Sequence, residues 1–243
     1  MNTNRQAATS VASTRKIAMA AGLLYVLTFV SIPTLALYAP LHDANYILGA
    51  GPDTPVIIGG ILEIIVALAG IGTAVVLFPV LKKQNEGVAL GLVASRILEA
   101  STMFIGVMFI LTIVTLRQTG AGADALITSH TLAILYDRIF LLGQSFMPAI
   151  NDLLLGFLLY QSRLVPRALS LIGIVGGPVL LVGYLAVMFG LIGQHAPLAG
   201  LSALLVALFE FSLGVWLVVK GFNPSAITSE SAKTETNDLL SAA

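Results

Sequence analysis

Cysteine is absent from the 243-residue chain, which excludes a disulfide framework and thiolate chemistry. Charge is scarce, since 10% of the residues are charged against roughly 25% in an average soluble domain. The 12 basic and 12 acidic side chains cancel, so the net charge gives no support for a nucleic-acid partner. Hydrophobic residues make up 57% of the chain, with a mean hydropathy of +0.97. This composition excludes a soluble domain and makes the lipid bilayer the expected partner.

Long hydrophobic runs fill most of the sequence, separated by short segments with turn signals. A helix needs about 20 apolar residues to cross the bilayer core, and six stretches meet that length. They cover residues 17–38, 56–81, 88–116, 131–161, 167–193 and 197–220. The sequence therefore predicts an all-α polytopic bundle of six transmembrane helices within residues 15–222. The polar ends, residues 1–14 and 223–243, are expected to be disordered cytoplasmic tails.

Lysine and arginine fall unevenly on the two sides of this predicted bundle. One side carries Arg5, Arg15, Lys16, Lys82, Lys83, Arg163, Arg167, Lys220 and Lys233. The opposite side has Arg117 and the interfacial Arg138, and its first loop, residues 39–55, has neither Lys nor Arg. Because cytoplasmic loops of membrane proteins are enriched in basic residues, both termini are expected in the cytoplasm.

A basic hairpin joins the fourth and fifth stretches, reading Leu-Tyr-Gln-Ser-Arg-Leu-Val-Pro-Arg-Ala-Leu-Ser-Leu-Ile-Gly over residues 159–173. Together with Arg15 ahead of Ala-Gly-Leu-Leu-Tyr at 21–25, and with Arg-Ile-Leu-Glu at 96–99, it resembles the bacterial membrane-protein family catalogued as domain of unknown function 4386. The resemblance covers about residues 15–190. It implies a multi-pass protein of a bacterial inner membrane with no assigned activity, and it carries over no catalytic residue.

Five ionisable side chains lie far from the ends of their predicted helices, where each needs a partner, water or a neutral form. They are Glu63, Arg96, Glu99, Asp152 and Glu210. Four acids against one guanidinium leave an excess of three formal negative charges. This excess indicates either a proton or cation pathway or a neutralised, hydrogen-bonded core that holds the helices in register.

Arg96 is the cation of this set, and Glu99 lies three residues away on the same helical face. We expect Arg96 to be shared by Glu99 and at least one acid from another helix, and we favour Asp152 on the fourth helix because it has a similar depth. That arrangement would leave Glu63 and Glu210 unpaired, as the titrating groups.

The fourth helix carries a polar face with a proline in it. Asp137, Gln144 and Asn151 repeat every seven residues, with Arg138 on the adjacent stripe. Pro148 cannot donate to the carbonyl of Gln144, so it predicts a kink whose freed carbonyl could bind a cation or a substrate. The alternative is a structural kink satisfied by nearby polar side chains.

Three histidines, His42, His130 and His195, occupy one loop each on the side opposite the termini. With Asp43 or Asp124 they could form a zinc site or a pH sensor, but no two have the spacing of a metal motif. We therefore interpret them as interfacial loop residues and predict no metal site and no cofactor. The chain also lacks the common hydrolase, zinc-protease and phosphate-loop motifs, which disfavours an enzyme.

Two functions remain open at this stage. The acid cluster favours a proton- or cation-linked carrier or channel for a small solute. The alternative is a non-transporting membrane interaction or assembly protein whose polar cluster is structural. Gly87 with Gly91 and Gly173 with Gly177 have the spacing of closely packed membrane helices, which leaves helix packing, a mobile gate and a homo-oligomer as interpretations.

Overall fold

Helices make up the regular structure of residues 3–43 and 45–227, which a computed structural model of the chain describes. The α-helices are α1 Thr3–Thr28, α2 Thr34–Leu37, α3 Thr54–Leu81, α4 Glu86–Gln118, α5 Leu126–Leu141, α6 Met147–Ser162, α7 Arg167–Met188, α8 Pro197–Ser202 and α9 Leu204–Val219. A π-helical segment, Leu142–Phe146, joins α5 to α6 without a break. Short 3-10 turns lie at Phe29–Ser31, Ala39–His42, Tyr46–Leu48 and Gly122–Ala125.

Five helical segments within the described residues are long and apolar enough to cross a membrane. They are Ser13–Ser31, Thr54–Leu81, Glu86–Gln118, Gly122–Ser162 and Arg167–Met188, and α9 adds a shorter apolar helix of 16 residues. Large apolar side chains on these segments point outward, among them Leu23, Leu68, Leu98, Phe157, Val182 and Val215. Surface of this kind fits lipid, and the prediction of an all-α polytopic membrane bundle is confirmed.

The long helices pack into a closed ring. Helix α1 contacts α3 and α9, α3 contacts α4, α4 contacts α6, α6 contacts α7, and α7 contacts α9. Helix α5 lies against α4. Two larger apolar cores occupy opposite ends of the ring, one around Leu81, Leu158 and Leu217 and the other around Val56 and Ile113. Side chains that point inward between these ends share the centre of the bundle.

The two ends of the bundle differ in their loops. The histidine end is formed by residues 32–43, 45–53, 119–125 and 189–196. The basic end is formed by residues 82–85 and 163–166 with the C-terminal part of α9. At the basic end Arg15 donates to the carbonyls of Leu217 at 2.8 Å and Val218 at 2.6 Å. A cation here satisfies the last carbonyls of α9, which explains an arginine near the start of the first span.

At the histidine end, Arg117 is paired rather than free. Its Nη1 donates to Asp53 Oδ1 at 2.7 Å, its other groups donate to the carbonyls of Gly49 and Gly51, and its guanidinium lies 4.6 Å from the centre of the Tyr46 ring. Tyr46 donates its hydroxyl to the same Asp53 carboxylate at 2.9 Å. Burial, followed by this hydrogen bond, raises the pKa of Tyr46. The loop is thereby fastened to the end of α4.

The ends of the chain differ in part from the sequence expectation. Helix α1 begins at Thr3, inside the segment 1–14 for which we expected no order. A helix already nucleated by its apolar span extends at low cost through such alanine-containing sequence. Asn223 donates its backbone N–H to Leu164 and its side chain to Arg163, so the C-terminal segment is fixed up to Ile227. Residues 1, 2 and 228–243, the remainder of the expected tails, lie outside the described residues.

Glycines allow close helix contacts at two places predicted from their spacing. A Cβ at Gly173 would lie 2.7 Å from the Phe209 ring, and one at Gly177 would lie 2.7 Å from the carbonyl oxygen of Ala149. The interpretation of this pair as packing surface is confirmed. Gly87 and Gly91 have more room, since the nearest atoms to their added Cβ lie at 3.5 and 3.9 Å.

Candidate functional site

A buried guanidinium lies at the centre of the ring. Arg96 Nη1 donates to Glu99 Oε2 at 2.9 Å, its Nη2 donates to Glu210 Oε1, and its Nη2 lies 3.5 Å from the Tyr25 hydroxyl. Asn151 Nδ2 donates to Glu99 Oε2 at 2.7 Å. These residues come from α1, α4, α6 and α9, and we call them, with Asp152, the Arg96 cluster. The contact between Arg96 and Glu99 is as predicted.

The second acid on Arg96 differs from the prediction. Glu210 on α9 pairs with Arg96, whereas we expected Asp152 on the fourth helix in that position and Glu210 unpaired. Asp152 is fully buried, and within the described residues neither of its carboxylate oxygens has a hydrogen-bond partner. It lies close enough to interact electrostatically with Arg96, Glu99 and Glu210. The expected pair between Arg96 and Asp152 is therefore wrong, whereas the expectation that Arg96 is shared with an acid from another helix is confirmed by Glu210.

Glu63 forms a second polar group nearer the histidine end. Tyr136 donates its hydroxyl to Glu63 Oε1 at 2.7 Å, and Gln144 Nε2 donates to the same oxygen at 3.1 Å. Glu63 is fully buried, and its other oxygen has no hydrogen-bond partner in the described part of the chain. Within the described residues Glu63 has no ion pair, as expected, and two neutral donors hold one of its oxygens. We call these three residues the Glu63 cluster.

The predicted kink at Pro148 takes the form of the π-helical segment that precedes it. Proline cannot donate a hydrogen bond to the carbonyl four residues back. At Leu142–Phe146 the backbone is π-helical, so its hydrogen bonds join residues five apart instead of four. Gly143 allows this segment to lie against α4, since a Cβ there would sit 2.0 Å from Thr102 Oγ1. The widened turn carries Gln144, which reaches Glu63. Segments of this type are common at functional sites.

Two cavities adjoin these clusters. The central cavity has a volume of about 200 Å³ and is lined by Arg96, Glu99, Glu210, Gln144 and apolar side chains. A larger cavity of about 740 Å³ opens toward the histidine end and is lined by Tyr38, Tyr136, Gln144, Tyr184 and others. Gln144, Leu180 and Ala203 line both cavities. Within the Glu63 cluster, Gln144 lines both cavities and Tyr136 lines the larger one.

The other residues of the predicted polar face do not lie together, since Asp137 and Arg138 are on α5 and Asn151 is on α6. Asp137 is half-buried at the histidine end, where its Oδ1 lies 3.1 Å from His42 Nε2. Arg138 is exposed and belongs to neither cluster. Asn151 reaches Glu99, as described above.

Tyr136 is a contact residue that the sequence analysis missed. A signal was present, because Tyr136, Phe140 and Gln144 are four residues apart and share one face of the helix. A tyrosine hydroxyl on the same stripe as an amide within an apolar span indicates a buried hydrogen-bond acceptor nearby.

Comparison with family models assigns the chain to a family. The model described as a domain of unknown function, DUF4386, matches residues 20–221. The chain belongs to this family. The match extends through α9, beyond the resemblance that ended at about residue 190, while Arg15 lies ahead of it. No curated protein and no solved structure matches the chain. The DUF4386 assignment names no activity, so function has to be argued from the two polar clusters and their cavities.

Proposed function

We propose that this membrane protein is a proton- or cation-linked carrier or channel for a small solute, and that the Arg96 cluster is its ion site. The observation that carries the proposal is charge: Glu99, Glu210 and Asp152 face one guanidinium beside the central cavity. Buried acids in excess of their cations are costly in a bilayer and are typical of proton and ion pathways. A bound cation, a proton or water in the cavity would compensate them.

A polar side chain shared by the two cavities supports this function. Gln144 lines the larger cavity and also the central cavity, which Glu99 and Glu210 line. The π-helical segment that carries Gln144 disturbs the regular helix inside the Gly122–Ser162 segment, and π-helical turns of this kind are frequent at functional sites. The larger cavity, at about 740 Å³, has the size of a small-molecule pocket, for which roughly 300–1,000 Å³ is usual.

The proposed orientation has both termini in the cytoplasm of a bacterial inner membrane. The described basic residues of the basic end are Arg15, Lys16, Lys82, Lys83, Arg163, Arg167 and Lys220. At the histidine end the described basic residues are Arg117 and Arg138, so Lys and Arg are fewer there. We predict that reporter fusions at residues 45 and 235 label opposite sides of the membrane. Labelling of both on the same side would contradict the topology.

Proton movement in liposomes tests the function. We predict that an imposed membrane potential drives protons, or Na⁺ in a parallel experiment, into vesicles containing the purified protein faster than into protein-free vesicles. Asp152→Asn should lower this flux by about tenfold or more, because it removes a buried charge from the path and a tenfold change in rate needs only about 1.4 kcal/mol in the barrier. An internal pH-sensitive dye measures the proton flux.

The matched control is Glu86→Gln, which neutralises an exposed acid at the start of α4. It should leave the flux unchanged. Flux that also survives joint neutralisation of Glu99, Asp152 and Glu210, or a wild type that moves neither ion, would contradict the proposal. Either result would favour the non-transporting interaction protein, in which the clusters only join the helices.

A further inference from the structure

Three segments distant in sequence converge at the histidine end. His42 ends the 3-10 turn Ala39–His42, Asp137 lies on α5, and His195 lies in the loop before α8. Their ligand atoms all lie within 4.8 Å of one another. His42 Nε2 is 3.1 Å from Asp137 Oδ1, and the rings of His42 and His195 are 5.3 Å apart between centres. His130, the third histidine of the sequence analysis, belongs to no such group in the described residues.

Neighbouring contacts fix the backbone that carries these three side chains. Gln194 Nε2 donates to the backbone carbonyl of Asp137 at 2.9 Å, which fixes the residue next to His195 onto α5. Leu41 is buried and anchors the turn that ends at His42. The hydrogen bond from Tyr136 to Glu63 orients α5 one residue away from Asp137. The convergence is thus built by the fold.

We propose that His42, Asp137 and His195 bind a Zn²⁺ ion. Two imidazoles and one carboxylate are a usual donor set for zinc, with metal–ligand distances of about 2.0–2.2 Å. Tetrahedral geometry at those distances places the donor atoms about 3.3 Å apart. The pair formed by His42 and Asp137 already has this spacing, and both histidines are exposed enough to rotate the remaining distance.

The second histidine completes the set of donors. His42 contacts Asp137, and the ring of His195 lies 5.3 Å from that of His42 between centres. Two imidazole nitrogens and one carboxylate oxygen together are a usual donor set for a divalent zinc ion. The same donors correspond to the sequence hypothesis of a histidine zinc site, with Asp137 in place of Asp43 or Asp124.

The geometry leaves a coordination position open. All three side chains line the cavity of about 740 Å³, together with Ser145, Tyr184 and Gln194. Zinc with three protein ligands keeps a fourth position for water or for a donor atom of a ligand. A solute with a carboxylate, phosphate or similar oxygen donor in this cavity would therefore bind the ion directly. The zinc site stands independently of the ion pathway proposed at the Arg96 cluster.

Zinc titration of the full chain in detergent micelles tests the site. The protein is prepared without a polyhistidine tag and stripped with a chelator, and Zn²⁺ binding is measured by competition with a chromophoric indicator. We expect one high-affinity ion per chain, and Co²⁺ in its place should give the visible absorption of a four- or five-coordinate site. His42→Ala, Asp137→Asn and His195→Ala should each weaken Zn²⁺ binding by about a hundredfold or more, since even loss of an outer-sphere partner costs 10–100-fold.

Two matched controls separate this site from adventitious binding. His130→Ala removes the other histidine of the same end, and Asp124→Asn removes an exposed acid there. Both should keep the wild-type affinity and stoichiometry. A wild type without a micromolar or tighter Zn²⁺ site would overturn the proposal. Affinity unchanged in His42→Ala or His195→Ala, or lost equally in His130→Ala, would also overturn it. Thermal melts of the chelator-stripped variants show whether each is folded.

Discussion

Replacing Arg96 with methionine is expected to lower the free energy of unfolding by about 3–5 kcal/mol, the usual cost of removing one partner from a buried ion pair. The guanidinium side chain is 4% exposed and donates to two carboxylates on different helices. Methionine keeps much of the volume and removes every donor. Glu99 and Glu210 would then lie buried without a cation, and Asp152 would lose its electrostatic compensation.

Melts of the purified protein in detergent measure this effect. Arg138→Met is the matched control, because Arg138 is exposed and lies outside both clusters. Its melting temperature should stay close to that of the wild type. If Arg96→Met had the same melting temperature as Arg138→Met, the guanidinium could not be the counter-ion of the buried acids.

Asp152→Asn is expected to act in the opposite direction and raise the free energy of unfolding by about 1–3 kcal/mol, because a buried charge without a hydrogen-bonded partner costs more than a buried neutral amide. Asp152 is fully buried with neither oxygen hydrogen-bonded in the described residues. The amide has nearly the same shape and removes the repulsion from Glu99 and Glu210. A variant that is more stable than the wild type but carries less ion flux is expected when the removed charge serves the function.

The adjacent residue provides the control. Asn151 is equally buried but donates to Glu99 at 2.7 Å, so Asn151→Leu should destabilise the protein. The same melts compare the two variants. If Asp152→Asn were the less stable of the two, its carboxylate would have a structural partner, and the assignment of Asp152 to an ion path would lose its basis.

Patterns local to one helix could be predicted from the sequence. Segment length and hydropathy predict the membrane spans, and the three-residue spacing predicts the contact of Arg96 with Glu99. Pro148 predicts a disturbed helix because the missing N–H is a property of the residue itself. The π-helical form of that disturbance depends on Gly143 fitting against Thr102, a contact between helices.

Contacts between helices were not predictable to the same degree. Arg96 and Asp152 have similar depths, but depth leaves rotation about the helix axis undefined, and one residue turns a side chain by about 100°. Asn151 therefore faces Glu99 where Asp152 was expected. The pairing with Glu210 requires α9 to close the ring against α1, and the order of helices around a ring is not encoded in span lengths. The convergence of His42 with His195 likewise depends on how loops from distant segments meet.

A double-mutant cycle between Arg96 and Glu210 tests the central claim most directly, because it measures the ion pair that joins α4 to α9. The free energy of unfolding is measured for the wild type, Arg96→Met, Glu210→Gln and the double variant. We predict that the double variant is more stable than the sum of the single effects by about 2 kcal/mol, within the range for charges in one network. Effects that add to within about 0.5 kcal/mol would contradict a shared buried guanidinium.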